Sequence, residues 1–208
     1  MKWYDWDIAP NPRRVRIYLI EKGLDIPSQD VGDGFVLKEE YRTKYPGLMV
    51  PMVELDDGTQ IGEAFAVCRY FEELHPTPPM MGEDAKEKAQ VEMWDRRAYD
   101  ECMIATAEVF RNTHPSFADR GVPGSPDPVP QIPALVERGK ARLSRFYTNL
   151  DLHLNGREFI VGRHFTVADI TALCSIDFGK FCELSVPTEC PNVRRWYEQI
   201  SARDSAAA

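Results

Sequence analysis

Apolar positions follow two rhythms along this chain, and the change from one to the other divides it. Trp3, Tyr4 and Trp6 open with an aromatic run suited to a partly buried strand. Ala9-Pro10-Asn11-Pro12 breaks that strand, after which Val15, Tyr18 and Leu19 fall at helical spacing. That face leaves Arg13, Arg14 and Arg16 to cover the exposed side. Asn11 reads as the N-cap, Pro12 as the first helical residue and Gly23 as the C′ stop. Ile26 to Val31 predicts a second strand, and Leu37 to Tyr45 a short charged helix stopped by Pro46-Gly47. Met49 to Leu55 and Thr59 to Ile61 predict a hairpin turned by Asp56-Asp57-Gly58. Phe65 to Leu74 follows as a helix. The order β-α-β-α-β-β-α marks a compact α/β unit.

The prolines of His75 to Gly82 cannot continue a helix and favour an extended linker. Beyond them no alternating strand pattern returns. Asp84 to Thr113 predicts one long helix with Val91, Trp94, Ala98, Cys102, Ala105 and Val109 on a single face. His114 to Pro133 is a proline-rich loop with few apolar anchors, expected to be mobile. Ala134 to Leu154 predicts another helix. Thr166 and Asp169 form a capping box with Asp in the Glu position, and Phe165 and Ile170 a hydrophobic staple. The helix they start, Val167 to about Cys182, is apolar nearly all round and belongs at the centre of the second half. Pro191 to Ala202 is a final amphipathic helix, and 204–208 an unstructured tail. The expected division is a first domain over 1–75, a linker over 76–85 and an all-helical domain over 86–203.

Composition narrows the function. A net charge of −8 with no basic stripe argues against a nucleic-acid partner. No stretch approaches about 20 apolar residues and the first residues lack an apolar leader, so neither a membrane span nor a signal peptide is expected. The five cysteines lack C-x-x-C spacing and match no zinc pattern. They read as reduced thiols of a cytoplasmic protein without a metal. Chemically, the segment around Asn11 matters most, because a helix N-terminus is a ready anion site for a phosphate, carboxylate or thiolate. The alternative is that Asn11 serves only as a cap.

Four features in order resemble the cytosolic glutathione transferases over essentially the whole chain. They are the strand–turn–helix opening of Trp3 to Gly23, the Val50-Pro51 step, the Glu63-Ala64 pair opening a helix, and the capping box within Phe165 to Ile170. The resemblance implies a thioredoxin-like N-terminal domain, a helical C-terminal domain and a homodimer. It further implies glutathione as co-substrate on the first domain, and a small hydrophobic electrophile between the two. Pro51 would be cis, freeing the Val50 backbone to pair with the cysteine of the peptide as an added strand does. The Ala64 N–H would receive the ligand's α-carboxylate and the Glu63 carboxylate its ammonium; without a ligand, the two are only a cap neighbour and a good helix former. Tyr99, Met103, Phe110 and Phe117 are the candidates for the electrophile side.

The chain departs from the family where the chemistry is sharpest. Ala64 replaces the usual Ser, Met49 stands where a Lys is common, and Lys38 is the nearest candidate for the glycine carboxylate. Ala9 and Trp6 occupy the neighbourhoods of the Ser and Tyr that activate the thiol in other members. Asn11 remains, and its position resembles that of the Asn in bacterial nu-class members, within an overall nu-class or theta-like resemblance. A thiol near pKa ~8.5 must fall toward ~6–7 to be largely ionised at neutral pH. Two units correspond to about 2.7 kcal/mol. A helix terminus supplies up to ~2 kcal/mol and a hydrogen bond to a charged acceptor about 1.5–3. Asn11, or backbone N–H groups alone, would suffice. Three functions follow as expectations: detoxifying conjugation of glutathione to electrophiles, glutathione-dependent disulfide reduction, and non-catalytic binding on a retained fold.

Overall fold

The computed structural model describes residues 1–32, 38–45, 47, 49–125 and 127–208. It forms two compact units, Met1–Met80 with Ala208, and Met81–Ala207. The division falls inside the proline-rich stretch expected to be a linker.

In the first unit, β1 (Lys2–Asp5) is followed by α1 (Pro10–Glu21), β2 (Ser28–Asp30), α2 (Glu39–Lys44), β3 (Met52–Glu54), β4 (Gln60–Gly62) and α3 (Ala64–Leu74). The sheet order is β2-β1-β3-β4. β1 runs parallel to β2 and antiparallel to β3, and β3 and β4 form the hairpin. This mixed sheet with its helices is a thioredoxin-like fold. Gly23 sits at φ 65°, and Leu24 N–H donates to the Leu19 carbonyl while Gly23 N–H donates to Ile20. Both bonds complete the C-terminal motif in which a left-handed residue satisfies the last carbonyls of a helix.

α1 and α3 are joined beneath the sheet by a buried polar knot. Lys22 Nζ lies 2.7 Å from Glu72 Oε2, and the Tyr18 hydroxyl donates to the same oxygen at 2.5 Å. Lys22 also donates to the carbonyls of His75 and Pro78, so the chain leaving α3 is tied back to α1. Burial and the Glu72 carboxylate push the Tyr18 phenol far above its ordinary value.

The second unit is helical: α4 (Ala85–Arg97), α5 (Ile104–Thr113), α6 (Pro133–His153), α7 (Val167–Gly179) and α8 (Pro191–Ser201). The single helix expected from Asp84 to Thr113 is instead interrupted by a π-helical stretch, Ala98–Met103. The expected face is still buried, from Val91 through Trp94, Ala98, Cys102 and Ala105 to Val109. The loop between α5 and α6 is more ordered than its composition suggests. It carries a short 3-10 turn, Pro115–Phe117, and a bridge between Arg120 and Val129. Gln131 Nε2 donates to the carbonyls of Arg111 and His114, at 2.8 and 2.9 Å.

α7 forms the centre, with 11 of its 13 residues buried. Its capping box is present, and Asp169 is fully enclosed. The Asp169 carboxylate accepts from the backbone N–H groups of Ile160 and Thr166, from the Thr166 hydroxyl and from Trp196 Nε1, all within 2.9–3.0 Å. Burial raises this carboxyl above its ordinary value, and the four donors pull the other way. The 204–208 segment is not an unstructured tail: Asp204–Ala207 forms a 3-10 turn with Ser205 buried. Among the described residues no helix is long and apolar enough to cross a membrane, and all five cysteines are free thiols.

Candidate functional site

The strand pairing gathers three separate sequence features at one end of the sheet. β1 ends there at Asp5, beside the start of β3, since Tyr4 pairs with Met52. Met52 in turn pairs with Gly62, so β4 ends at the same edge and α3 begins there. The turn after β1, the Val50-Pro51 step and the Glu63-Ala64 pair are therefore neighbours, though more than fifty residues separate the first from the last. Trp6, Tyr45 and Val50 pack together on a buried cluster of Tyr4, Val31, Tyr41 and Met52.

The Val50-Pro51 peptide is cis, as expected. Val50 lies just outside β3, and its N–H and C=O have no hydrogen bond among the described residues. They form a short open edge of the kind an extended peptide can pair with. The approach to this edge is fixed by Tyr41, whose buried hydroxyl donates to the Met49 carbonyl at 2.5 Å.

α3 presents the second set of open groups. Glu63 is its N-cap, with φ 66° and ψ 123°, a backbone conformation that non-glycine residues rarely adopt. Such strain is of order 1–3 kcal/mol and collects at binding sites. No side chain caps the helix. The first helical bond is Val67 N–H to the Glu63 carbonyl, which leaves the N–H groups of Ala64, Phe65 and Ala66 open among the described residues. The exposed Glu63 carboxylate stands beside this positive helix end. Burial, and secondarily the Glu63 carboxylate, raise the Tyr45 phenol above its ordinary value. The Tyr45 ring lies over Gly62 so closely that a Cβ there would sit 1.9 Å from its hydroxyl oxygen.

The start of α1 differs from expectation. Its N-cap is Ala9, not Asn11, and Pro10 rather than Pro12 opens the helix. Ala9 N–H donates to the Trp6 carbonyl, and Arg13 N–H to the Ala9 carbonyl. Pro10 and Pro12 have no N–H, so among the described residues Asn11 supplies the one open backbone donor of this turn. Asn11 Oδ1 accepts from Arg14 Nη1 at 3.2 Å. Because a guanidinium only donates, that bond identifies the oxygen and directs the amide NH₂ elsewhere, available to an acceptor.

Arginines expected on the exposed face hold the turn. Arg14 is buried. Arg16 reaches Asp5 Oδ1 at 2.5 Å and the Asp7 carbonyl at 2.8 Å, clamping the end of β1 to α1. Burial raises the Asp5 carboxyl, while Arg16 pulls it down.

The other expected residues are placed less centrally. Lys38 is the exposed N-cap of α2. In the second unit, Tyr99 and Met103 belong to the π-helical stretch, with Met103 buried. Phe110 lies in α5 and joins an aromatic cluster with Phe117 at 5.1 Å and Phe178 at 5.2 Å. Tyr41, Tyr45, Arg14 and Arg16 are the supporting residues that sequence reasoning missed. Only the count of tyrosines around the Pro46-Gly47 stop hinted at the first two.

The arrangement offers an open strand edge, a helix N-terminus with a carboxylate beside it, and an amide donor at a second helix start. Residues 4–79 match the family model for the glutathione S-transferase N-terminal domain, and residues 99–204 that for the C-terminal domain. Glutathione S-transferase 2 of Saccharomyces cerevisiae is 31% identical over 213 residues, covering 97% of this chain and 86% of its own. The crystal structure of a glutathione S-transferase domain-containing protein of Marinobacter aquaeolei superposes with a TM-score of 0.87, at 33% identity and 99% coverage of both chains. Elongation factor 1-gamma of Rattus norvegicus is 30% identical over 76% of this chain, which spans 33% of that protein.

Proposed function

Because the chain belongs to the glutathione S-transferase family, we propose that it conjugates the glutathione thiolate to small hydrophobic electrophiles. One observation carries this reading: the open Val50 backbone, the uncapped start of α3 and the Asn11 amide lie at a single end of the sheet. In it, the Val50 N–H and C=O pair with the cysteine of glutathione beside Pro51. The N–H groups of Ala64 and its two successors take the γ-glutamyl carboxylate, and Glu63 takes the ammonium. Lys38 takes the glycine carboxylate. Asn11 donates to the sulfur, and the thiol proton leaves to solvent. Tyr99, Met103 and Phe110 line the electrophile side. With an activated aryl chloride, sulfur forms the new S–C bond and chloride departs with its electron pair. The protein acts as a cytoplasmic homodimer in detoxification, a setting that five free thiols suit.

A second reading, a binding protein that retains the fold, is favoured by the turn itself. Ala9 and Trp6 provide no hydroxyl there, and an elongation factor subunit shares the likeness. Calorimetric titration with glutathione in two buffers of different ionisation enthalpy, followed by turnover of an aryl chloride, separates the two. Binding with proton release and turnover supports the transferase. Binding without proton release or turnover transfers the reading to a carrier, and no binding at millimolar glutathione overturns the transferase and leaves the non-catalytic reading in front. Glutathione-dependent turnover of a mixed disulfide in place of the aryl chloride would instead identify a reductase.

A further inference from the structure

Tyr4, Tyr41 and Tyr45 stack edge to face in the first unit. The Tyr4 and Tyr41 rings lie 5.4 Å apart at 70°, and the Tyr41 and Tyr45 rings 6.2 Å apart at 80°. Tyr4 and Tyr41 are buried, and their hydroxyls are engaged inside the protein. Tyr4 donates to Glu54 Oε2 at 2.8 Å, and Tyr41 to the Met49 carbonyl at 2.5 Å. Tyr45 ends the row. It is half-buried, and its hydroxyl makes no hydrogen bond among the described residues.

A free hydroxyl at a surface is ordinary; the position of this one is not. Tyr4, Met52 and Gly62 are cross-strand neighbours on β1, β3 and β4. Tyr4 and Met52 fill the face of the sheet that Tyr41 covers, and over Gly62 the Tyr45 ring stands where a side chain is missing. A Cβ on residue 62 would collide with the Tyr45 hydroxyl oxygen, so that oxygen lies directly over the backbone entering α3. The next residue is Glu63, the strained N-cap, and after it come the open N–H groups of Ala64, Phe65 and Ala66. Ala64 has no hydroxyl to add at this helix end. Burial and the nearby Glu63 carboxylate keep the phenol protonated at neutral pH, and so a donor. A carboxylate bound at the helix start accepts at about four positions on its two oxygens, more than the N–H groups of one turn fill from one side. A phenol adds a donor there without adding a cation, so Glu63 stays available to an ammonium.

We propose that Tyr45 is a further ligand-binding residue, whose hydroxyl donates to the α-carboxylate of the γ-glutamyl group and makes that carboxylate a requirement for tight binding. The inference rests on the placement of glutathione proposed above, with its γ-glutamyl end at the start of α3. Gly62 is then a glycine so that a donor carried by another element can stand over it.

The test is calorimetric titration of the full chain at neutral pH with glutathione and with 4-aminobutyryl-cysteinyl-glycine, which keeps the ammonium and the thiol but lacks the α-carboxylate. Tyr45→Phe keeps the ring over Gly62 and removes only the hydroxyl. It should bind glutathione about tenfold or more weakly than the parent, as expected for one lost hydrogen bond to a charged group, and bind the analogue as the parent does. Its urea midpoint should match that of the parent, because the hydroxyl bonds to no other described part of the fold. Gly62→Ala leaves the hydroxyl in the molecule but pushes it from its place, and should lose the same preference for glutathione over the analogue. Unchanged glutathione affinity in Tyr45→Phe would overturn the proposal. Equal weakening of both ligands would assign Tyr45 to the shape of the site and overturn it as well. In both of those cases the parent still binds glutathione, and the reading of the site stands. Failure of the parent to bind glutathione overturns the proposal together with the transferase.

Discussion

The Asn11 amide oxygen lies 3.2 Å from Nη1 of Arg14, a buried arginine one turn further along α1. The bond consumes the acceptor of the amide and leaves its donors, the polarity a thiolate needs. Asn11→Ala should therefore raise the pKa of bound glutathione and lower kcat/KM. A hydrogen bond to a charged acceptor is worth about 1.5–3 kcal/mol, or roughly 10- to 150-fold in rate. Thiolate absorbance of the enzyme–glutathione complex against pH, beside turnover, checks both. An unchanged thiol pKa would move the task to the Asn11 backbone N–H.

Glu63 has φ 66° without being glycine. Glu63→Gly removes that strain, of order 1–3 kcal/mol, against an entropic cost of about 0.5–1. The variant should be as stable as the parent or more so by urea denaturation, yet bind glutathione at least about tenfold more weakly for want of the carboxylate. Weaker binding together with lower stability would mean that Glu63 holds the fold rather than the ligand.

The Lys22–Glu72 pair is enclosed on both sides, with the Tyr18 hydroxyl on the same oxygen. Lys22→Met leaves a buried carboxylate without its cation and should cost about 3–5 kcal/mol. Glu72→Leu combined with it should restore part of that loss, because a buried ion pair replaced whole is far less costly than one broken. Urea midpoints for the two single variants and the double give the coupling directly.

His153 provides a pH signature for the second unit. Its ring lies 4.1 Å from that of Trp94, and its Nε2–H donates to the Ile160 carbonyl at 2.7 Å. Burial, with smaller effects from Arg157 and Arg97, holds its pKa below the ordinary 6.5, although the bond to Ile160 opposes the shift. The unfolded chain then binds the proton first. Stability is complete above about pH 6.5 and declines as pH falls toward the depressed folded value. His153→Gln should flatten that part of the stability–pH curve. Denaturation midpoints across the acidic range, variant against parent, are the measurement.

What the sequence made legible was the arrangement of buried faces. Val91 through Val109 were expected on one face and are buried, yet the helix carrying them contains a π-helical stretch. An altered winding that keeps the same side chains inward leaves no mark in the spacing. The two prolines flanking Asn11 both suit a first turn, and spacing could not choose between them; the helix begins at Pro10. Arg14 and Arg16 read as solvated because charge alone does not reveal partners at Asn11 and Asp5, which only the fold of the turn brings within reach. The strain at Glu63 was likewise hidden, since nothing in its residue type signals a positive φ. The meeting of the Trp6 turn, Val50-Pro51 and Glu63-Ala64 was suggested by family resemblance, and the strand register supplies its physical cause.

The prolines at the start of α1 have a consequence for selectivity. Multi-oxygen anions such as phosphate are held at helix starts by several convergent N–H groups. With Pro10 and Pro12 in place, the first turn of α1 retains only that of Asn11. One backbone donor and one amide suit a single large, polarisable atom and offer little to a tetrahedral oxyanion. The abundant phosphates of a cell would thus be poor competitors at this position, and discrimination between sulfur and phosphate would be built from two missing hydrogens.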